Sequence, residues 1–222
     1  MDTANQQADA KRFIDRIGGE AFPCVGAKSA LARDGITFFD AGDLRTGDAD
    51  ARLLRDLQAF AAGAADEALF TSFVALFPRT PALDEAAFEQ ALWQRLQALH
   101  GLDARDYGWD ASVSDQPDSP HFSMSLGGRA FYVIGMHPGS NRKARRFHCA
   151  ALVFNLHSQF EKLREDGRYD KLRDSITQRD IAFSGSRNPM LAVHGEASEA
   201  RQYSGRQVGA GWRCPFSATQ AN

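Results

Sequence analysis

The sequence predicts an α+β fold, a single domain spanning residues 1–222 with a mainly antiparallel sheet flanked by helices. Three observations favour this class. Several segments carry apolar residues at helical spacing, and short β-prone runs lie between them. A glycine pair, Gly127-Gly128, separates two such runs and predicts a hairpin. Strands and helices also lack the regular βαβ alternation that is typical of a parallel sheet.

The first half of the chain is predicted to be scaffold. Leu53, Leu54 and Leu57 recur at intervals of three and four residues, which indicates an amphipathic helix. Asp84 is expected to cap the helix that follows it, because its carboxylate can accept a backbone N–H of the first turn. The predicted elements are helices over 8–17, 48–62 and 84–100, a loop entering a short helix over 21–31, and strands over 35–40 and 70–77.

The second half contains most of the predicted sheet and a long tail. Residues 103–120 are rich in Asp, Ser, Pro and Gly and predict a long loop, a feature that is often functional in compact domains. The tail, 184–222, lacks periodicity, but aromatic anchors such as Trp212 indicate that it is folded. The predicted elements between them are strands over 121–126, 130–134 and 150–154, and helices over 157–166 and 168–183, the last ending at Gly185.

Composition and charge exclude several functional classes. With a formal net charge of -2, the chain has no overall attraction for nucleic acid or an anionic membrane. It has no apolar run of the roughly 18 residues that a membrane span requires and no signal-peptide core. Three cysteines without a CxxC pair favour a reducing compartment, so a soluble cytoplasmic protein is expected. Sequence motifs of dinucleotide, nucleoside triphosphate, zincin and serine hydrolase sites are absent.

The stretch richest in candidate metal-binding and anion-binding residues is 135–164, which contains three of the six histidines and a basic cluster. His137 follows a predicted strand and precedes Pro138-Gly139. An imidazole held at a strand end is well placed to bind a metal. The alternative is a solvated or hydrogen-bonded histidine, which is the more common fate of a histidine in a turn.

The basic cluster is a candidate anion site. If Ser140 caps a helix over 141–147, then Arg142, Arg145 and Arg146 lie on one side of it, where guanidinium groups can bind carboxylates or phosphates in pairs of hydrogen bonds. A histidine ligand beside such arginines suits a haem, whose iron needs an axial ligand and whose propionates need counter-charges. A phosphorylated ligand or a solvated helix face would fit the pattern equally well.

A second histidine opens the helix predicted over 157–166. His157, Glu161 and Arg164 share one face of this helix. His157 is therefore a candidate for a second iron ligand, a hydrogen-bond donor in the pocket or a group supporting a ligand. For Glu161 and Arg164 the alternative is an ordinary surface ion pair that contributes little to stability.

Two cysteines and part of the tail are further candidates. Cys24 and Cys214 could each supply a thiolate, although free cysteines are more often inert buried side chains. The segment 195–206 interleaves acids, bases and Tyr203. It predicts either a polar pocket or a surface loop.

Several blocks of this sequence resemble the YqcI/YcgG family. They are 22–28, 137–147, 152–164, 198–203 and 212–216, and together they extend over almost the whole chain. Members of that family include haem-dependent hydroxylases that oxidise a guanidine nitrogen, in the pathways to D-cycloserine, where arginine is the substrate, and to guanitoxin. The sequence departs from the family pattern at Ala150 and Leu156, where the family has proline.

The resemblance implies a haem b (iron protoporphyrin IX) bound by one chain. It also implies N-hydroxylation of a guanidine or amine nitrogen by dioxygen or peroxide, with arginine or an arginine derivative as the first choice of substrate. His137 is the first choice of iron ligand and His157 the second, and Cys24 and Cys214 stay open. The residues expected around the haem are His137, Arg142, Arg145, Arg146, Cys24, Phe147 and Trp212.

On the hypothesis of such a hydroxylase, His157, Glu161 and Glu199 are the expected catalytic residues, with Glu161 or Glu199 pairing with the cationic substrate. The expected partners are a small cationic substrate and an external electron donor, with neither nucleic acid nor membrane, and a homodimer stays open. Two other functions also stay open. One is a haem-binding or gas-sensing protein without turnover, and the other is a cofactor-free module that binds phosphorylated metabolites through the arginines.

Overall fold

The computed structural model describes residues 3–64, 69–191 and 195–218. Over these ranges the chain forms seven α-helices and five strands. The helices are α1 (Thr3–Gly18), α2 (Val25–Leu31), α3 (Asp50–Gly63), α4 (Glu85–Asp103), α5 (His157–Glu165), α6 (Tyr169–Ser184) and α7 (Ala200–Tyr203). The strands are β1 (Ile36–Asp40), β2 (Ser72–Phe77), β3 (Met124–Leu126), β4 (Arg129–Met136) and β5 (Ala150–Leu156).

The strands form one sheet in the order β1-β2-β5-β4-β3. β1 pairs with β2 in parallel, and the other neighbours are antiparallel. Gly127 and Gly128 join β3 to β4 at φ values of +62° and +68°, the left-handed backbone that this two-residue hairpin turn requires at both positions. The predicted α+β domain with a mainly antiparallel sheet is confirmed.

The central strands are buried on both faces, and their alternating side chains build two separate cores. Phe73 and Phe154 point to one face, where α3 and α4 contribute side chains such as Leu53. Val74 and Val153 point to the other face, where α1 contributes Phe13. The sheet is thus a middle layer between helices, and its backbone separates any site on one face from side chains on the other.

Local sequence signals set several helix ends. Asp84 caps α4, as predicted, by accepting the Ala87 N–H at 2.8 Å. Gly185 ends α6 at a φ of +84°, the conformation in which glycine avoids a Cβ clash. Cys24 caps α2 through its sulfur, which accepts the Ala27 N–H at 3.3 Å.

The predicted helix over 141–147 is wrong. The segment forms a single 3-10 turn, Lys143–Arg145, because the backbone is extended at both flanking arginines, Arg142 and Arg146. Ser140 accepts the Arg142 N–H on its hydroxyl oxygen at 3.2 Å, and this local turn replaces the expected helix cap. The segment is therefore a loop between β4 and β5, and its arginine side chains point in different directions.

The sequence predicts an irregular tail over 184–222, and its described part is irregular except for α7. Residues 192–194 and 219–222 lie outside the described ranges. Tyr203 of α7 is fully buried, which confirms that this part of the tail is folded. In the described ranges, no helix is both long enough and apolar enough to cross a membrane.

Candidate functional site

A cavity of about 350 Å³ lies between the sheet and the helices α1, α2, α5 and α6. This volume is typical of pockets for small molecules and cofactors. The sheet provides an apolar floor that includes Val74, Ile134 and Val153. Charged and titratable lining residues include Cys24, Arg145, His157, Arg164, Asp180 and Glu199.

His157 lies on the cavity wall at the junction of β5 and α5, where the strand passes directly into the helix. Its Nε2 is 2.9 Å from Oε1 of Glu161, one helical turn further on. Burial lowers the pKa of His157, and the nearby Glu161 carboxylate offsets this only in part. The imidazole is therefore neutral at physiological pH, which is the form that binds metals.

Glu161 supports His157 from behind the wall. Arg164 donates a hydrogen bond to the same oxygen, Oε1, that contacts His157. Burial acts to raise the pKa of Glu161, but Arg164 and His157 outweigh it and lower the pKa. Glu161 is consequently ionised, and an ionised carboxylate fixes the orientation of an imidazole and raises its basicity as a ligand.

Arg145 brings a positive charge to the cavity. Its guanidinium donates to the carbonyl oxygens of Gly135, Gln202 and Tyr203 at 3.0, 3.1 and 3.2 Å. Burial lowers the pKa of Arg145, but arginine remains charged in proteins. These three acceptors are neutral, and the nearby Asp180 carboxylate is paired with Arg142. Arg145 can therefore still pair with an anionic group in the cavity.

The three arginines of the 137–147 loop are separated. Arg142 pairs with Asp180 and donates to the Ser186 carbonyl at 2.9 Å. The Nε of Arg146 donates a hydrogen bond to the backbone carbonyl of Ser140 at 2.6 Å. Arg142 and Arg145 line the cavity, whereas Arg146 lines a more open pocket of about 530 Å³ beside it.

Glu199 places a carboxyl group on the cavity wall. Its Oε1 accepts hydrogen bonds from the hydroxyls of Ser123, at 2.7 Å, and Tyr203. Burial raises the pKa of Glu199 to about 7, because these hydrogen bonds compensate for only part of the lost hydration. Glu199 can therefore exchange a proton near neutral pH, and a bound cation would favour its ionised form.

His137 lies away from the cavity wall, on the face of the sheet that packs against α4. It is 2% exposed, and its ring stacks on Phe88 with centroids 4.2 Å apart. Burial lowers the pKa of His137 although its ring bonds to the Leu83 carbonyl. Nδ1 has no hydrogen-bond partner among the described residues. The structure thus gives His137 a packing role and separates it from His157.

The remaining predicted residues are divided between the two faces. Cys24 lines the cavity, and burial raises the pKa of its thiol. Phe147 packs in the core beside α1 and lines the neighbouring open pocket. Cys214 and Trp212 pack against the opposite core, and burial raises the pKa of Cys214 to about 12. In the ranges that the structure describes, no three His, Cys, Asp or Glu side chains form a metal-ion cluster.

The structure therefore brings some predicted residues together and leaves others apart. Those on or directly behind the cavity wall are Cys24, Arg142, Arg145, His157, Glu161 and Glu199. Those away from it are His137, Arg146, Phe147, Trp212 and Cys214.

Among the polar side chains on the floor of the cavity that sequence reasoning missed are Tyr132 and Asn155. They are opposite each other in the register of β4 and β5. Asn155 accepts a hydrogen bond from the Ser72 hydroxyl at 2.7 Å. The signal was a polar residue within an otherwise apolar strand, which indicates a face that does not pack against a purely apolar layer.

The fold and the cavity define a class, the single-domain α+β proteins with a cofactor-sized cavity between one face of a mixed sheet and the helices covering it. Within that class, this chain belongs to the YqcI/YcgG family, whose model matches residues 12–217. This confirms the family indicated by the sequence blocks. No curated protein and no solved structure matches the chain.

Proposed function

We propose that this protein binds haem b in the cavity and hydroxylates a guanidine or amine nitrogen of a small cationic substrate, arginine or an arginine derivative being the first choice. One observation carries the proposal. A single cavity presents a neutral imidazole supported by a carboxylate, His157 with Glu161, and a separate carboxyl group, Glu199. The haem-dependent hydroxylases within the YqcI/YcgG family support the same reading.

The residues of the cavity fit a haem. A haem requires an axial ligand, counter-charges for its propionates and apolar surroundings. His157 can provide the ligand, Arg145 the counter-charge, and the floor containing Val74 and Val153 the apolar surface. His157 is proposed as the axial ligand in preference to His137, because His157 lies on the cavity wall.

Each residue then has a defined task. His157 would hold the iron, with Glu161 fixing its ring, and Arg145 would pair with a propionate. When bound, the haem supplies the activation of dioxygen or peroxide that protein side chains cannot provide. Glu199 would bind the cationic substrate, and its Oε1 would receive the proton that the nitrogen releases, because a pKa of about 7 suits a general base at neutral pH.

Absorption spectroscopy of the protein reconstituted with haem tests the cofactor. Wild type is expected to show a Soret band, and His157→Ala is expected to lose or shift it. His121→Ala, at an exposed position, is the matched control and should keep the wild-type spectrum. A wild type without a Soret band contradicts the proposal. A band lost in His137→Ala but kept in His157→Ala moves the ligand to the opposite face of the sheet.

The alternative is a haem-binding or gas-sensing protein without turnover. Incubation with arginine, a reductant and dioxygen, followed by mass spectrometry, is expected to give a product heavier by one oxygen atom. Glu199→Gln should lower product formation far more than it lowers haem binding. A haem-loaded protein that modifies no guanidine or amine in a substrate panel supports the alternative.

A further inference from the structure

A row of tyrosine and tryptophan rings leads from the cavity wall into the opposite core and towards the surface. Tyr132 lines the cavity, and its ring centroid is 5.7 Å from that of Tyr203. The Tyr203 ring is 5.5 Å from Trp93, and Trp93 is 6.4 Å from Trp212. Trp212 is partly exposed. Tyrosine and tryptophan are among the side chains that lose an electron most readily, and here each ring is in contact with the next.

Tyr203 differs from Tyr132 in the group that contacts its hydroxyl. The Tyr203 hydroxyl donates to Oε1 of Glu199, a base, whereas the Tyr132 hydroxyl donates to the side-chain amide oxygen of Gln202 at 3.0 Å. A phenol gives up an electron easily only when its proton can leave at the same time. Oxidation is therefore favoured at Tyr203, because its hydroxyl has a proton acceptor. The Tyr132 ring lies between Tyr203 and the cavity.

We propose that Tyr203, Trp93 and Trp212 form a path that carries an oxidising equivalent from the cavity to the protein surface when no substrate is bound. The path rests on the proposed function, because hydrogen peroxide at the proposed haem site would supply the one-electron oxidant.

The steps balance in electrons and protons. One electron leaves Tyr203 and reduces the oxidant by one equivalent, while the phenolic proton moves to Oε1 of Glu199. Tyr203 then takes an electron from Trp93 and recovers its proton from Glu199, and Trp93 takes an electron from Trp212. An external thiol or ascorbate reduces the oxidised Trp212 at the surface.

The cavity wall contains a side chain that such a path would protect. Met136 lines the cavity, and its thioether is readily oxidised. An oxidant formed there without a substrate would attack this group. Transfer of the oxidising equivalent to Trp212 moves it to a position where an external reductant has access.

Trp109 provides a matched control within the same chain. Like Trp212, it is partly exposed. Its described ring contacts are with His100, Phe122 and Phe216, at 5.3, 6.0 and 6.0 Å. Phenyl rings, which are much harder to oxidise, therefore stand between Trp109 and the path.

The experiment treats the haem-loaded full-length chain with hydrogen peroxide in the absence of substrate. Electron paramagnetic resonance detects the radicals, and peptide mass spectrometry locates the oxidised residues. Wild type is expected to oxidise Trp212 several-fold more than Trp109. Tyr203→Phe should reduce Trp212 oxidation several-fold and increase oxidation at Met136. Trp212→Phe should leave a longer-lived radical on the remaining rings.

Several outcomes would overturn the path while leaving haem binding intact. Equal oxidation of Trp212 and Trp109 is one, and unchanged Trp212 oxidation in Tyr203→Phe is another. If Tyr203→Phe does not fold, Trp212→Phe tests the path instead, because the Trp212 side chain is partly exposed. A radical signal in Trp212→Phe identical to that of wild type would contradict the path. A wild type without a Soret band overturns the proposed function and the path together.

Discussion

Glu199 and Ser123 are joined by a hydrogen bond of 2.7 Å although they are 76 residues apart in the chain. The contact ties the segment preceding α7 to the residue before β3, and it holds a carboxyl group from the tail on the cavity wall. Since burial raises the pKa of Glu199 to about 7, the charge of the cavity changes with pH around neutrality.

The first prediction concerns the pH dependence of stability. The folded-state pKa of Glu199, about 7, is above the ordinary value of 4.5, so the folded protein binds this proton more tightly than the unfolded chain. The contribution of Glu199 to the free energy of unfolding should therefore fall as pH rises from 4.5 to about 7, by roughly 2–3 kcal/mol. Glu199→Gln should remove this contribution, so that the variant gains stability relative to wild type towards high pH.

Urea unfolding across that pH window measures the difference between wild type and variant. Glu196→Gln is the matched control, because Glu196 is a nearby exposed acid and its removal should preserve the wild-type pH dependence. Parallel stability curves for wild type and Glu199→Gln would show that the pKa of Glu199 is not raised.

The fold could be predicted because its signals are local. The stripe of Leu53, Leu54 and Leu57, the cap at Asp84 and the glycine pair at the hairpin each specify one element without reference to the rest of the chain. The sheet order follows less directly, but alternation and the hairpin already favour antiparallel pairing. The fold class could therefore be predicted from the sequence.

The site could be predicted only in part. Its geometry depends on which face of the sheet each strand residue points to and on contacts between residues far apart in the chain. Ile134 faces the cavity, and His137, three residues later, emerges on the other face of the sheet. The Ser140 hydroxyl bonds within its own loop, which scatters the arginines that helical spacing would have aligned. The contact of Ser123 with Glu199 spans 76 residues, and no local pattern specifies it.

The second prediction concerns Glu161 as the support of the proposed iron ligand. Glu161→Gln keeps the shape of the side chain but removes the charge that contacts His157 at 2.9 Å. Haem affinity is expected to fall about 10–100-fold, the usual effect of removing a group that orients a metal ligand. Haem titration followed by absorbance measures it. Glu165→Gln, a solvent-exposed change on the same helix, should leave the affinity unchanged, and equal affinities for all three proteins would contradict the role of Glu161.

The third prediction concerns the buried ion pair of Asp50 and Arg95, whose side chains are 11% and 6% exposed. Arg95 also donates to the Leu44 carbonyl at 3.2 Å. Burial raises the pKa of Asp50 although Arg95 opposes the shift. Arg95→Met leaves a buried carboxylate without its cation and is expected to lower the free energy of unfolding by about 3–5 kcal/mol.

Urea unfolding tests this pair against an exposed one. The double variant Asp50→Asn/Arg95→Met should recover part of the loss, because it removes the isolated charge. Arg45→Gln breaks the pair with Asp43, in which the Arg45 side chain is 50% exposed, and should leave the unfolding midpoint unchanged. Similar losses in Arg95→Met and Arg45→Gln would refute a special role for burial.

The fourth prediction concerns the close packing of β4 on α4 at Gly135. A Cβ at this position would lie 2.7 Å from the Phe88 ring and 2.8 Å from Leu92. Gly135→Ala is therefore expected to lower the free energy of unfolding by about 1–3 kcal/mol, the usual cost of overpacking a core. Gly101→Ala, in α4 with no atom within 4 Å of the added Cβ, should instead be neutral or stabilise by up to about 1 kcal/mol.

Gly135→Ala also separates the two candidate iron ligands. Phe88 stacks directly on His137, so a displaced Phe88 ring would move that imidazole, whereas His157 lies on the other face of the sheet. If His157 binds the haem, Gly135→Ala should lose stability while its Soret band stays at the wild-type position. A shifted band in this variant, with Gly101→Ala unaffected, would show that the added methyl group reaches the iron site through His137 or through Arg145, which donates to the Gly135 carbonyl. Loss of the band in His137→Ala would then assign the iron to His137.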